Sequence, residues 1–409
     1  MTYKYPKNKN YQRTIVLEPY PFETIDEDEI DENYNKIITQ FGKLLEVPVL
    51  KQRSEEWHNY RYNKISGSEI GSILGLDSHK AQHEFILGKV LNKPFPLNEH
   101  CSWGTKYEPI ATLIYEFRTG TVVKEFGSLP HNDISFLSAS PDGIVMPLNK
   151  KGLKVKNPCT MLEIKCPTIR KIKMDDSIES IPPQYYAQMQ LQMHCCNLPI
   201  CHFFQVKIEE YDNRQAFIDD TAEEPFRSLN NYEKGAIIAL LPKDIIAQTI
   251  GCDEDTMNKI IWGKAQYLYP PEIQMTPYDY DMWIASTLTN LDEVVNENIH
   301  LFNNPSDSGY VFYKVIYWKV VLTNCTNVPR IENWLIDNKK TLEDTWMKVQ
   351  YLRKYPEKAK EIDDYVSTLP DYHSYITGLS WKEINERKDN HKKQIKDIND
   401  LITKTCSSD

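Results

Sequence analysis

Apolar residues along this chain change their spacing several times, and each change marks a new element. Residues 103–120, WGTKYEPIATLIYEFRTG, set Tyr107, Ile110, Ala111, Ile114 and Phe117 three or four apart, which predicts an amphipathic helix ended by Gly120. The spacing then shortens. TVVKEFGSLP, ISFLSASPDGIVMPL and TMLEIKCP are short β-branched and apolar runs divided by Pro, Gly and Asn, the pattern of neighbouring strands and turns. Pro182 and Pro183 stand where a helix start accepts proline, QYYAQMQLQMHCC continues that helix, and ICHFFQVKIEEY returns to strand. Upstream, RSEEWHNYRYNKISGSEIGSILGL reads as a short helix, a turn and a second helix starting between Ser66 and Glu69, where S-x-x-E is a capping-box pattern. This order of elements predicts an α/β or α+β core around a central sheet.

Later segments are less uniform. GYVFYKVIYWKVVL at 309–322 is strongly β-like, and NWLIDNKKTLEDTWMKVQYLRKY reads as a helix. Between 212 and 308, KGAIIALLPKDIIAQTI is expected to be helical, while the aromatic, proline-bearing YLYPPEIQMTPYDYDMW has no role legible in its residues. Residues 1–45 form a polar leader containing the acidic run ETIDEDEIDE, expected to be partly disordered or packed as an accessory segment.

Composition narrows the class. The 409 residues are 41% hydrophobic and 26% charged, ordinary for a soluble globular protein with a sizeable core. No apolar run reaches the ~18 residues that span a bilayer. The opening MTYKYPKNKNYQR lacks the apolar centre of a signal peptide, so a cytoplasmic setting without membrane association is expected. Nine scattered cysteines then read as reduced thiols. HCCNLPICH at 194–202 has no C-x₂-C step, which favours buried thiols over a metal cluster.

A net charge of −10 is unusual for a protein that holds a DNA backbone, but the charge is uneven. Lys150, Lys151, Lys154, Lys156, Arg170, Lys171 and Lys173 gather near the strand motifs, as a basic face or as a solvated loop.

The chemistry lies in those motifs. In LEIKCP, strand alternation puts Glu163 and Lys165 on one face and Leu162 and Ile164 on the other. Asp142, in the turn sequence SPDG, lies beside Glu163 if the two strands pair. Two converging carboxylates suit a hard divalent cation, and a nearby lysine can serve the water of phosphodiester hydrolysis. The alternative is an ordinary strand-face ion pair beside an unrelated turn aspartate.

Five motifs in order resemble the λ-exonuclease and YqaJ-like viral recombinase family of PD-(D/E)xK nucleases. They are EEWHNYRYNKISGSEIG at 55–71, WGTKYEPIA at 103–111, SASPDGIV at 138–145, LEIKCP at 162–167 and YYAQMQLQM at 185–193. The resemblance implies a restriction-endonuclease-like α/β core, a mixed sheet flanked by helices, with a largely helical insertion and C-terminal extension. It implies a nuclease core at 46–211, completed by a strand and helix at 309–356, with 212–308 then an insertion. Outside the likeness stand the N-terminal extension at 1–45 and a tail at 357–409 whose Lys, Asp and Glu content reads as a charged, solvated helix.

It further implies that Asp142, Glu163 and the Ile164 carbonyl bind Mg²⁺, with Mn²⁺ able to substitute, that Glu108 joins them, and that Lys165 serves the attacking water with support from Gln188. Gln190, two residues along the helix, points elsewhere. Arg61, Ser68 and Ser140 resemble residues that hold a terminal 5′-phosphate. Ser68 in a first helical turn and the forked Arg61 suit an anion on physical grounds, although capping by Ser66 and a surface arginine explain the same residues. Trp57 and Tyr62 are expected to pack rather than stack on DNA.

The implied activity is 5′ to 3′ exonuclease action on double-stranded DNA ends, in viral recombination, repair or replication. A ring-shaped homo-oligomer and a single-strand annealing partner belong to the same resemblance. An endonuclease on the same core and a non-catalytic DNA-binding or assembly module are the alternatives.

Overall fold

The computed structural model describes residues 23–48, 55–77, 79–93, 99–174, 177–261, 263–302, 305–369 and 381–407. The expectations for residues 1–22 of the leader and for 370–380 of the tail lie outside them. Helices α1 (Glu32–Leu45) and α2 (Glu55–Tyr62) precede β1 (Ile65–Ser66), α3 (Ile70–Ile73), α4 (Gln82–Leu91) and α5 (Glu99–Thr119). Strands β2 (Val123–Lys124), β3 (Leu129–Pro130), β4 (Leu137–Ala139), β5 (Gly143–Val145) and β6 (Met161–Lys165) follow, then α6 (Pro183–Cys196) and β7 (Ile200–Glu210). The next segment holds α7 (Arg214–Asp219), β8 (Lys234–Pro242), α8 (Lys243–Thr249), α9 (Glu254–Ile261), β9 (Gln266–Leu268), α10 (Pro277–Thr289) and α11 (Leu291–Asn298). Strand β10 (Tyr310–Pro329) and helices α12 (Trp334–Lys354), α13 (Pro356–Ser367) and α14 (Trp381–Cys406) complete the chain.

Seven strands form a mixed sheet in the order β2-β5-β6-β7-β10-β8-β9, and β1-β4-β3 form a smaller one. β6 and β7 are parallel with α6 as their crossover, whereas β5 runs antiparallel to β6, and β10 antiparallel to both β7 and β8. The fold is therefore mixed α/β, its sheet flanked by helices.

Period-2 alternation divides β7 between two cores. Cys201 and Phe203 pack in the layer that includes α4, α6 and α12, and Phe204, Val206 and Ile208 pack in the layer under α5. Tyr107, Ile110, Ala111 and Ile114 of α5 are fully buried there, and Gly120 ends the helix at φ +67°.

One expectation is overturned. KGAIIALL is not helical: Lys234–Pro242 form β8, buried along its whole length between β10 and β9. Ile237 and Ala239 face the α5 core while Ile238 and Leu240 face a core that includes Phe302 and Tyr310. A strand covered on both faces is a continuous apolar run, which periodicity cannot tell from a buried helix. The segment 212–308 thus contributes two strands to the sheet as well as its helices.

Lysines 154 and 156 have partners within the chain. Main-chain bonds from Ile25 N to Lys154 O (3.1 Å) and from Lys156 N to Glu23 O (2.7 Å) lay the acidic segment alongside them. Lys154 pairs with Glu27 and Lys156 with Glu23, so neither ammonium stands as a free cation in a basic face.

Arg118, at the end of α5, meets Glu233, just before β8, as a bidentate pair at 2.6 and 2.8 Å, both side chains at most 1% exposed. A third guanidinium nitrogen donates to Thr323 of β10 at 2.7 Å. Although burial opposes ionisation, Arg118 holds the Glu233 carboxyl below its ordinary value. Arg118→Ala leaves that carboxylate buried and unpaired, so urea unfolding should show a loss of about 3–5 kcal/mol, most of it recovered by pairing Arg118→Met with Glu233→Leu.

Candidate active site

Strands β5 and β6 bring the first three residues together. A Cβ at Gly143 would lie 2.2 Å from Val123 Cγ1, so glycine after Asp142 is what lets β2 pair with β5. Asp142 then sits where β5 begins, and its Oδ2 accepts from Ile164 N of β6 at 2.6 Å. On β6, Leu162 and Ile164 enter the α5 core, and Glu163 points to the other face, where it is wholly buried. Glu163 Oε1 accepts from Lys165 Nζ and from Gln188 Nε2 of α6, the latter at 2.7 Å. Glu163 Oε2 is buried without a hydrogen-bond partner. Lys165 Nζ also donates to the Ile164 carbonyl at 3.0 Å. Gln188 therefore touches the glutamate, and reaches Lys165 only through it.

Crowding of negative charge shows in the electrostatics. Burial, reinforced by Glu163 and Glu108, pushes the Asp142 carboxyl well above its ordinary value, against the opposing pull of Lys165. Burial disfavours the Lys165 ammonium, but Glu163 and Asp142 outweigh it and raise its pKa. Glu108 is thus near enough to act on Asp142 from α5. Burial and then Glu108 also push the adjacent Cys166 thiol up, leaving it protonated and unreactive.

The donors fit a hard cation. Glu163 Oε2, Asp142 and the Ile164 carbonyl are oxygens, one of them orphaned, and Glu108 adds charge. Among the described residues no three His, Cys, Asp or Glu side chains converge into a cage. Two carboxylates and a carbonyl leave coordination positions to water, as a hard divalent cation accepts.

The proposed end-binding residues form a second cluster. Arg61 Nη2 donates to Ser66 Oγ at 2.7 Å and to Ser68 Oγ at 3.2 Å, and Ser68 is exposed. Ser66 pairs in parallel with Ser138 of β4, two residues before Ser140. Ser138 Oγ, Ser140 Oγ and Gln192 Oε1 are all buried without partners, and Gln192 Nε2 reaches the Ser140 carbonyl at 3.4 Å. Ser68, however, opens no sustained helix. Residues 67–69 are a 3₁₀ turn and α3 has four residues, stopped where Leu76 N bonds Gly71 O and Gly75 takes φ +67°. So short a helix has little dipole, and the attraction for an anion rests on Arg61 and the hydroxyls.

Sequence reasoning missed what supports this cluster. Glu69 Oε2 accepts from both N and Oγ of Ser66, at 2.9 and 2.8 Å, and Lys89 of α4 bridges Glu69 Oε1 and the Arg61 carbonyl at 2.9 and 2.7 Å. Trp57 lies under Arg61, 4.5 Å from ring centroid to guanidinium, and Tyr62 under Arg353 of α12 at 3.6 Å. The S-x-x-E pattern marked Glu69 as a cap, but nothing in the sequence linked it to Lys89. Tyr185 was also missed: its ring lies 5.2 Å from Lys165 Nζ and 5.8 Å from the Arg170 guanidinium, whose Nη2 is buried and unpartnered. Gln190 is structural, bonding Pro329 O and Ile331 N at the end of β10. Cys195, Cys196 and Cys201 are buried thiols in the first core. His202, its ring bonded to Tyr115 at 2.8 Å, is driven to a pKa of about 4 by burial and stays neutral.

Fold and site together define an α/β protein with a carboxylate and lysine centre on two paired strands. Residues 56–199, which contain Asp142, Glu163, Lys165, Glu108, Gln188 and the Arg61, Ser68 and Ser140 cluster, match the YqaJ-like viral recombinase domain. A protein of Acanthamoeba polyphaga mimivirus is 28% identical over 349 residues, covering 84% of this chain and 60% of the relative. A protein of African swine fever virus is 32% identical over 161 residues, covering 34% of this chain and 45% of the relative. The chain thus spans about half the length of these relatives. Among solved structures, an alkaline exonuclease from Laribacter hongkongensis aligns at 17% identity and TM-score 0.37, over 75% of this chain and 98% of that one.

A carboxyl with a raised pKa stabilises the fold while protonated, and that contribution fades as pH rises from the usual carboxylate range near 3.8 toward the raised value. Above the usual carboxylate range and without metal, burying Asp142 therefore costs stability. Asp142→Asn should raise the thermal midpoint in EDTA at pH 7.5, and should lose most of the further rise that Mn²⁺ gives the native protein in differential scanning fluorimetry.

Proposed function

We propose that this protein is a magnesium-dependent deoxyribonuclease that digests double-stranded DNA from its ends in the 5′ to 3′ direction, Mn²⁺ serving in place of Mg²⁺. Glu163 carries the reading. A fully buried carboxylate, with one oxygen shared by Lys165 and Gln188 and the other unpartnered beside Asp142, is costly unless a cation completes it.

A divalent ion held there by Asp142, Glu163 and the Ile164 carbonyl, with Glu108 contributing charge, would polarise the scissile phosphate and lower the pKa of a bound water. The remaining work belongs to the side chains. Gln188 keeps Glu163 from rotating out of the site. Lys165, held by Glu163 Oε1 and the Ile164 carbonyl, would serve the attacking water or the phosphate oxygens. Arg61 and Ser68, with Ser140 beyond them, take the terminal 5′-phosphate, which sets direction by seating the end a fixed distance from the metal.

In this reading residues 46–211 and 309–356 are the nuclease core, 212–308 an insertion, 1–45 and 357–409 extensions. Relatives from two large DNA viruses support a role in viral DNA recombination, repair or replication, in the host cytoplasm or a viral replication site.

Linear duplex with 5′-phosphate ends should be degraded in Mg²⁺ and spared in EDTA, with covalently closed circles intact. Circles cut as fast as linear DNA would instead identify an endonuclease, and no hydrolysis of either a binding module. Lys165→Ala should lower the hydrolysis rate on the order of 10²- to 10⁴-fold with DNA binding retained. Arg61→Ala should chiefly erase the preference for 5′-phosphate over 5′-hydroxyl ends, by roughly 10- to 100-fold for a lost charge-assisted bond.

A further inference from the structure

The aromatic stretch after β9 reaches the helix that carries Glu108. β9 is an edge strand, paired through Tyr267 with Ala239 of β8, and Pro270 and Pro271 follow at once. Proline cannot extend the ladder and restricts the residue before it, so Tyr269 leaves the sheet in a fixed direction. Its hydroxyl donates to the Lys106 carbonyl of α5 at 3.0 Å. Tyr267, Tyr269 and Trp103 pack on the α5 core together with Cys166, the residue after Lys165.

The turn of α5 that receives this bond is unusual. Pro109 lies inside the helix, removing the amide that would bond the Thr105 carbonyl and crowding the turn from 105 to 109. Such a turn needs outside anchors to hold one shape, and it has two. On one side Lys106 and Tyr107 both engage Glu210 Oε1 at the end of β7, Tyr107 at 2.7 Å. On the other stands Tyr269. Glu108 is the residue that follows these anchored positions, and Tyr269 is close enough to be affected by its charge.

We propose that Tyr269 is a positioning residue of the nuclease site, holding the proline-weakened turn of α5 so that the charge of Glu108 stays close to the centre formed by Asp142 and Glu163. This rests on the nuclease reading above and gives the segment 266–269 a task in it: a strand and tyrosine from outside the YqaJ-like match steady a carboxylate within it.

Tyr269→Phe removes the hydroxyl and keeps the ring. Mn²⁺ binding by isothermal titration calorimetry, without DNA, should weaken by about 3- to 10-fold, the size of one lost support behind a ligand. The Mg²⁺ concentration for half-maximal hydrolysis should rise in parallel, with KM for DNA unchanged. In a Glu108→Gln background the same substitution should have no further effect on Mn²⁺ affinity. Native Mn²⁺ affinity in Tyr269→Phe, beside an impaired Glu108→Gln, overturns the Tyr269 role alone, as does an equal loss in both backgrounds. Native affinity in Glu108→Gln overturns the Glu108 assignment and the Tyr269 role with it, and a native protein that binds Mn²⁺ yet hydrolyses no DNA overturns the nuclease reading itself.

Discussion

The buried carboxylate of Glu163 is the constraint around which the rest of the structure is arranged. Carrying a charge to a position with no solvent exposure requires partners from more than one element, and here they come from β6 itself and from α6. Gln188 can reach Glu163 only because α6 crosses between the parallel strands β6 and β7. Asp142 stands beside it because β5 pairs with β6, while Gly143 lets β2 close onto the other edge of β5. One oxygen remains without a partner, an imbalance better suited to binding a cation than to stabilising the chain.

Around that centre the protein is stiffened by polar contacts at positions where α/β proteins are often apolar. The Arg118 and Glu233 pair joins α5 to the region before β8, Lys89 with Glu69 holds the end of α2 at Arg61, and Gln190 ties α6 to the end of β10. Each pair or network is satisfied on most sides, so each fixes a geometry that greasy packing alone would leave looser.

Legibility from sequence followed the range of the interaction. The helix at 99–119, the strand at 161–165 and the proline-led helix at 183–196 rest on local periodicity and turn residues, and their pattern was plain. The adjacency of Asp142 and Glu163 followed from one turn and one strand. β8 was misread because burial on both faces erases alternation. Lys89 on Glu69, Glu23 on Lys156 and Tyr269 on Lys106 join residues 20, 133 and 163 positions apart, and no spacing rule spans such distances. The dipole argument for Ser68 failed for a local reason, since Gly75 ends the helix after a single turn.

Strand β10 lies between β7 and β8, and Arg353 of α12 grips the Tyr62 ring and carbonyl together with the Lys89 carbonyl. Both belong to the last quarter of the chain. During synthesis, then, the ribosome releases the carboxylates, the lysine and the arginine cluster long before the parts that lock them in place. Until residue 329 has emerged the sheet is two unjoined halves, and until residue 353 has followed, the end of α2 beside Arg61 lacks its clamp. A nascent chain of this protein carries the whole set of reactive groups without the rigidity to align them.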